Sequence, residues 1–207
     1  MSTLDLIAAE RLTLADVLGT LTPAQARTPS CCGDWTVHQV AGHLLMPLAT
    51  PLSRFLGHLV AARGSFARAN DRATRAFAER PLPQLAAGLR ENARNPFHPP
   101  TFGHEAPLTE LVVHGQDLRL PLGLPVRFPP EALVVALDML AGRKARRAFV
   151  PAGLHQGLRF EASDVGWSAG TGALVRGPGA ALAFAMTGRT QTLDELTGDG
   201  VAVLRAR

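Results

Sequence analysis

Hydrophobic residues recur at helical spacing through the first two thirds of the chain. From Leu4 to Leu21, apolar positions repeat every three or four residues until Thr22-Pro23, which predicts an amphipathic helix followed by a loop over residues 22–34. The same spacing over about residues 52–80 predicts a helical element that P-L-P at 81–83 ends, and residues 84–93 predict another. The N-terminal part of the chain is therefore predicted to be helical.

The start of the helix between these elements is specified by its side chains. Thr36, with Gln39 three residues later, forms a capping-box pattern, so a helix is predicted to begin at Val37. His43 lies at the edge of the apolar face of this helix. Pro47 has no N–H to bond the carbonyl of residue 43, so a kink or break is expected beside that histidine.

Three further polar side chains lie on the core side of a helix that is predicted to follow a long loop. Residues 94–107 contain four prolines and a glycine, which favours a loop. In the helix after it, Glu110, His114 and Asp117 are spaced i, i+4, i+7 and share one side with apolar residues. Burial of an unpaired charge costs free energy or shifts its pKa, so these side chains need partners. A divalent metal is one such partner.

The pattern changes near residue 150. A helix opens at Pro129-Pro130 and is expected to reach about residue 146, and V-P-A-G then marks a boundary. Short alternating or strand-like runs follow at 158–162, 165–169, 173–176 and 201–204, with a small-residue helix at 178–186. The predicted fold class is α+β with two domains, residues 1–150 and 151–207.

Composition and charge exclude several classes of protein. Hydrophobic residues make up 46% and charged residues 18%, as in a globular protein. The net charge is only +4, and the pI of 10.3 is high because Lys144 is the only lysine and tyrosine is absent. A nucleic-acid partner is therefore not expected. The adjacent Cys31 and Cys32 form no C-x-x-C motif, and no apolar run approaches a membrane span, so we expect a cytoplasmic protein with no membrane partner.

Two segments carry a family resemblance. C-G-D-W-T-V-H-Q-V-A-G-H-L (Cys32–Leu44) and E-L-V-V-H-G-Q-D-L-R-L-P-L-G (Glu110–Gly123) resemble signature segments of the mycothiol-dependent maleylpyruvate isomerase family. The later V-R-G-P-G-A-A-L-A-F-A-M-T-G-R is also similar to that family. The resemblance implies an N-terminal DinB-like four-helix bundle and a small C-terminal α+β domain similar to sterol carrier proteins.

The resemblance also implies a metal site. His43, Glu110 and His114 would bind a divalent metal, usually zinc, and Asp117 would orient or charge-balance a ligand. The metal would bind mycothiol, or another low-molecular-weight thiol, as a thiolate that attacks a small electrophilic substrate. In the isomerase the attacked double bond rotates and then expels the thiol.

An arginine of the second domain would hold the substrate carboxylates, and Arg176 and Arg189 are the candidate catalytic residues. The predicted function is thus a metal-dependent thiol-cofactor isomerase or S-transferase. The alternative is a non-catalytic metal-binding protein whose C-terminal module binds an apolar or lipid-like ligand. A third alternative has no metal, with the three metal-site side chains hydrogen-bonded to one another. A homodimer is compatible with the sequence but not indicated by it.

Several of these residues also have structural interpretations. Asp117 could form a salt bridge to a nearby arginine, and Trp35 could close a hydrophobic staple against Val40. Cys32 is interpreted as a small buried hydrophobic residue, with a reactive thiol as the alternative. The sequence contains no P-loop, dinucleotide-binding or nucleophile-elbow motif.

Overall fold

The computed structural model describes residues 1–99 and 101–207, which form ten α-helices and three β-strands. The helices are α1 (Thr3–Thr20), α2 (Pro23–Ala26), α3 (Val37–Ala49), α4 (Leu52–Ala61), α5 (Phe66–Phe77), α6 (Leu82–Glu91), α7 (Glu105–Arg119), α8 (Pro130–Ala141), α9 (Gly179–Ala185) and α10 (Gly200–Arg205). The strands are β1 (Leu158–Ala162), β2 (Trp167–Gly170) and β3 (Ala173–Gly177). Within the described residues, no helix combines the length and the hydrophobicity that a membrane span requires.

The chain folds into two compact units. The first comprises Met1–Phe97 with Asp117–Leu124, and the second comprises His98–Gln116 with Pro125–Arg207. Helix α7 is continuous, and its last turn belongs to the first unit. The boundaries of these units differ from those of the predicted domains, residues 1–150 and 151–207. The predicted domains stay a prediction.

The first unit is built from helices packed on one another. Helix α1 packs on α6, α3 packs on both α5 and α6, and α4 packs on α5. Small residues allow two of these approaches, since a Cβ added at Gly42 of α3 would lie 2.9 Å from Cβ of Ala78, just after α5. A Cβ at Gly88 of α6 would collide with the side chain of Leu45 of α3. The packing of α3 is therefore tight along its length.

The predicted start of α3 is confirmed. Gln39 donates its backbone N–H to the Thr36 hydroxyl at 3.3 Å, and its side-chain oxygen accepts the Thr36 N–H at 2.9 Å. The helix continues through Pro47 to Ala49, so the chain is not broken at that proline. The capping box thus fixes one end of the helix that carries His43.

Two local predictions in this unit are wrong. The element predicted over residues 52–80 is two helices, because Arg63 and Gly64 adopt positive φ angles of 53° and 77° that end α4. The loop predicted over residues 22–34 contains α2, which has its own capping box between Thr22 and Gln25. In both places the spacing of apolar residues along the sequence did not predict the local backbone conformation.

The second unit contains the sheet. The strand order is β2-β1-β3, with β1 antiparallel to β2 and parallel to β3. The buried face of β1 presents Leu158, Phe160 and Ala162 to α9, which in turn packs on α8. Trp167 of β2 donates its indole N–H to Asp138 of α8 at 2.7 Å. The α+β fold class predicted from the sequence is confirmed.

The last predicted strand, residues 201–204, is wrong because this segment forms α10. The chain reaches the edge of β3 at Thr197, whose N–H and C=O both bond Arg176 at 2.8 Å. Gly198, with φ of 101°, then turns the chain away from the sheet. Helix α8 also ends at Ala141, before the predicted limit near 146. A four-residue apolar run cannot by itself distinguish a strand from one turn of helix.

Candidate functional site

His43 occupies the middle of α3 and is 7% exposed. Its Nδ1 lies 3.3 Å from the hydroxyl oxygen of Thr74, a residue of α5 with no exposed surface. A buried imidazole held by a hydrogen bond through one nitrogen has a fixed ring orientation. The residue predicted to bind metal is therefore an oriented side chain of the first unit.

Trp35 lies beside this histidine. The two ring centroids are 4.9 Å apart, with the planes inclined at 42°. The indole N–H of Trp35 donates to Oδ1 of Asp71 at 2.8 Å, and Arg75 donates its Nε–H to the same carboxylate at 2.9 Å. Partial burial opposes ionisation of Asp71, but these two hydrogen bonds hold its pKa below the ordinary value. The sequence did not predict this contact between Trp35 and α5.

Helix α7 carries the second group of predicted residues. Glu110 and His114 are partly buried and lie one turn apart, and Asp117 is fully buried in the following turn. Burial raises the pKa of the Glu110 carboxyl, and the positive charge of His114 acts in the opposite direction. A cation near this carboxylate would favour its ionised form.

Three side chains in the described residues form a group of metal-ligand type. One ligand atom each from Cys32, His114 and Asp117 lies within 4.8 Å of the other two. Backbone contacts fix the segment that carries the thiol, since Cys31 donates its N–H to the Asp117 carbonyl at 3.1 Å and Cys32 donates to the Ser30 hydroxyl at 3.0 Å. His114 and Asp117 are held relative to each other by α7.

The donor chemistry of this region fits a divalent metal. Thiolate, imidazole and carboxylate are the ligands that zinc takes in proteins, and three protein ligands leave a coordination position for a further group. His114 belongs both to this group and to the predicted set of His43, Glu110 and His114. That predicted set stays a prediction. From the sequence, Cys32 is interpreted as a small buried hydrophobic residue. In the structure its sulfur lies near ligand atoms of His114 and Asp117, which the sequence did not predict.

The two candidate arginines lie in the second unit. Arg176 of β3 has a side chain that is 54% exposed, and its Nε is 3.5 Å from Oε1 of Glu161 on β1. Arg189 is partly buried, donates to the Thr187 hydroxyl at 2.9 Å, and lies with its guanidinium carbon 5.3 Å from the ring centroid of Phe184. Their predicted role in binding substrate carboxylates stays a prediction.

Comparison with known proteins agrees with this architecture. The structure of the mycothiol-dependent maleylpyruvate isomerase superposes with a TM-score of 0.55 and 17% sequence identity, over 96% of each chain. The structure of a histidine-to-alanine mutant of a mycothiol-dependent maleylpyruvate isomerase gives a TM-score of 0.53 and 18% identity, again over 96% of each chain. At this level of identity the likeness establishes the fold. No curated protein matches the sequence.

The family model described as the mycothiol maleylpyruvate isomerase N-terminal domain matches residues 7–95. This range contains His43, Trp35 and Thr74, and it covers α1 to α6 almost completely. The N-terminal part of the chain is therefore similar to the mycothiol maleylpyruvate isomerase N-terminal domain.

Proposed function

We propose that the protein is a thiol-cofactor isomerase or S-transferase that acts on a small electrophilic substrate and depends on a divalent metal, zinc in the first instance. The observation that carries this proposal is the family match over the helices that hold His43. The group of Cys32, His114 and Asp117 supports the metal, because it brings three zinc-type donors together.

The metal ligands we propose are His43, Glu110 and His114. The contact of His43 Nδ1 with Thr74 supports this choice, because zinc-binding histidines commonly use the second ring nitrogen for such a hydrogen bond. The position of Glu110 one turn before His114 on α7 presents both side chains on one side of the helix. In this arrangement Asp117 orients His114 or balances the charge of the metal. Cys32 lies near His114 and Asp117.

A bound metal would supply a positive charge that lowers the pKa of the thiol cofactor. The protein's own contribution is to exclude water and to hold its ligands in fixed orientations. With a metal bound, Glu110 and Asp117 would supply negative charge to it; without one, burial raises the pKa of the Glu110 carboxyl and disfavours its charged form. Arg176 or Arg189 would bind a carboxylate of the substrate through its planar guanidinium.

The first test is the zinc content of the purified protein and of single variants, measured by elemental analysis after loading and desalting. The parent is expected to hold one zinc ion per chain, and His43→Ala, Glu110→Gln and His114→Ala are each expected to lose it. Cys32→Ser is the matched control, since it removes a donor of the other group, and it is expected to keep the zinc ion. Retention in His43→Ala and Glu110→Gln, with loss in Cys32→Ser and Asp117→Asn, would replace the proposed ligand set with that group.

The second test is thiol-dependent turnover. The zinc-loaded protein is incubated with mycothiol and maleylpyruvate, and the change of double-bond geometry is followed by proton NMR. Turnover that requires mycothiol and is lost in Glu110→Gln is the expected result. Zinc binding without any thiol-dependent reaction of maleylpyruvate or related electrophiles would contradict the enzyme and favour the non-catalytic metal-binding alternative.

A further inference from the structure

Helix α5 places a hydroxyl in the interior of the first unit. The buried residues of this helix are Ala69, Ala73, Thr74 and Phe77, and Thr74 is the polar member of the group. Its hydroxyl oxygen faces Nδ1 of His43 at 3.3 Å. A buried hydroxyl without a hydrogen-bond partner destabilises the fold, so a position of this kind favours a threonine that has a polar neighbour.

This contact bears on which nitrogen of His43 would bind a metal, because the donor in it depends on the tautomer of the ring. Neutral imidazole carries one proton, on either Nδ1 or Nε2. When Nδ1–H donates to the Thr74 oxygen, Nε2 carries the lone pair that binds a metal.

Helix α5 also acts on His43 indirectly, through Trp35. Asp71, one turn before Thr74, accepts the indole N–H of Trp35 at 2.8 Å, and the Trp35 ring lies 4.9 Å from the imidazole ring. Trp35 immediately precedes the capping box of α3, so its backbone is fixed at the start of the helix that carries His43. The imidazole is therefore held at its Nδ1 edge by Thr74 and on its side by an indole that Asp71 positions.

We propose that α5 is the positioning element of the metal site: Thr74 holds His43 as the Nδ1–H tautomer with Nε2 toward the metal, and Asp71 fixes the ring plane through Trp35. This inference rests on the proposed function, because it assumes that His43 is a metal ligand. It adds two positioning residues, Thr74 and Asp71, neither of which binds the metal.

The test measures zinc affinity by competition with a chromophoric chelator. Thr74→Val keeps the shape of the side chain and removes the oxygen, so the dissociation constant is expected to rise by about 10- to 100-fold, as for other losses of a ligand's hydrogen-bond partner. Thr74→Ser restores the hydroxyl and is expected to return the affinity to within a few-fold of the parent. Thr192→Val is the matched control, since it removes another buried threonine hydroxyl, one that donates to the Ala181 carbonyl in the second unit. Its zinc affinity is expected to equal that of the parent.

A second pair of variants keeps the test decisive if Thr74→Val does not fold. The Asp71 side chain is 41% exposed, so its replacement does not open the core. Asp71→Ala removes the acceptor of the Trp35 indole and is expected to weaken zinc binding. Asp71→Asn retains an acceptor oxygen and is expected to bind zinc as the parent does.

Nitrogen-15 NMR of the metal-free parent reports the tautomer directly, and the expected result is a His43 ring protonated at Nδ1. A zinc-binding parent whose Thr74→Val and Asp71→Ala variants keep the parent's affinity would overturn this inference and leave the proposed function standing. An Nε2–H tautomer in the parent would also overturn it. A parent that binds no zinc after loading would overturn the proposed function, and the inference with it.

Discussion

Glu10 and Arg119 form an ion pair in the interior of the first unit. Nη2 of Arg119 lies 2.7 Å from Oε1 of Glu10, and the two side chains are only 3% and 8% exposed. The ion pair joins α1 to the last residue of α7, two residues after Asp117.

Removal of one member of this pair should destabilise the protein strongly. Arg119→Met leaves the Glu10 carboxyl buried without its counter-charge, and the expected loss is about 3–5 kcal/mol of unfolding free energy in urea titrations. The double variant Glu10→Leu with Arg119→Met should recover most of that loss, because neither charge is then buried. A double variant as unstable as Arg119→Met alone would show that the charge pair is not the source of the effect.

The Glu10 carboxyl should also make stability depend on pH. Burial raises its pKa above the ordinary value of 4.5, although Arg119 acts in the opposite direction. Between 4.5 and the raised pKa the folded state binds more protons than the unfolded state, so the unfolding free energy falls as pH rises through this window. Glu10→Gln cannot titrate, and the difference in unfolding free energy between parent and variant should change with pH only there. A difference that does not vary with pH would contradict the raised pKa.

Arg11 should stabilise the end of α6. It is 2% exposed, and its Nη1 donates to the carbonyls of Asn92, Ala93 and Asn95 at 2.9, 3.2 and 2.8 Å. Burial lowers its pKa to about 10, so it remains charged at neutral pH. Arg11→Met removes these charged hydrogen bonds from carbonyls at a helix end, and a loss of about 1.5–3 kcal/mol is expected by urea denaturation. Arg90→Met is the control, because that side chain is half-exposed and pairs with Asp16 at the surface.

The close approach of α3 to the end of α5 should make Gly42 intolerant of a methyl group. An added Cβ would lie 2.9 Å from Cβ and 3.1 Å from Cα of Ala78, so one helix must shift. Gly42→Ala should cost about 1–3 kcal/mol and weaken zinc binding at the adjacent His43. Gly19→Ala is the matched control in α1, where an added Cβ meets no atom within 4 Å, and it should stabilise the protein by roughly 0.5–1 kcal/mol. Equal effects of the two variants on thermal unfolding would contradict the packing argument.

The helical fold of the first unit could be predicted because its signals are local. The capping box of Thr36 and Gln39 lies within four residues, and the side chain and backbone bonds in the structure are the ones it predicts. The turn at Arg63 and Gly64 was missed because the apolar spacing continues on both sides of it, although Gly64 and the N-cap Ser65 are local signals of a helix end and a helix start. Before the segment 201–204, it is Thr197 that pairs with Arg176 at the sheet edge, a contact between residues 21 positions apart that the apolar run did not reveal.

In the candidate site, too, some features follow from local sequence signals and others do not. The common side of Glu110, His114 and Asp117 follows from helix geometry alone. The neighbours of His43 do not, because Thr74 is 31 residues away in the sequence and contacts it only through the packing of α5 on α3. The partners of Cys32 are likewise set by tertiary structure, because His114 and Asp117 lie far from it in the sequence and no spacing predicts the group.

His155 should act as a second pH-dependent group, in the opposite direction from Glu10. Its Nε2 lies 2.8 Å from the Met186 carbonyl, and its ring packs edge-on against Phe160 at 4.9 Å. Burial lowers its pKa below 6.5; the Met186 bond acts against this, and the charge of Arg146 adds to it. As pH falls from 6.5 through the lowered pKa, the unfolded state takes up the proton first, so the unfolding free energy falls in that window.

The variant His155→Gln separates this titration from the hydrogen bond. The glutamine amide can still donate to the Met186 carbonyl but does not take up a proton, so the variant should lose less stability than the parent as the solution is acidified below pH 6.5. Urea denaturation of both proteins at a series of pH values measures the difference. Parallel curves for the parent and His155→Gln would show that this imidazole titrates alike in the folded and unfolded chains.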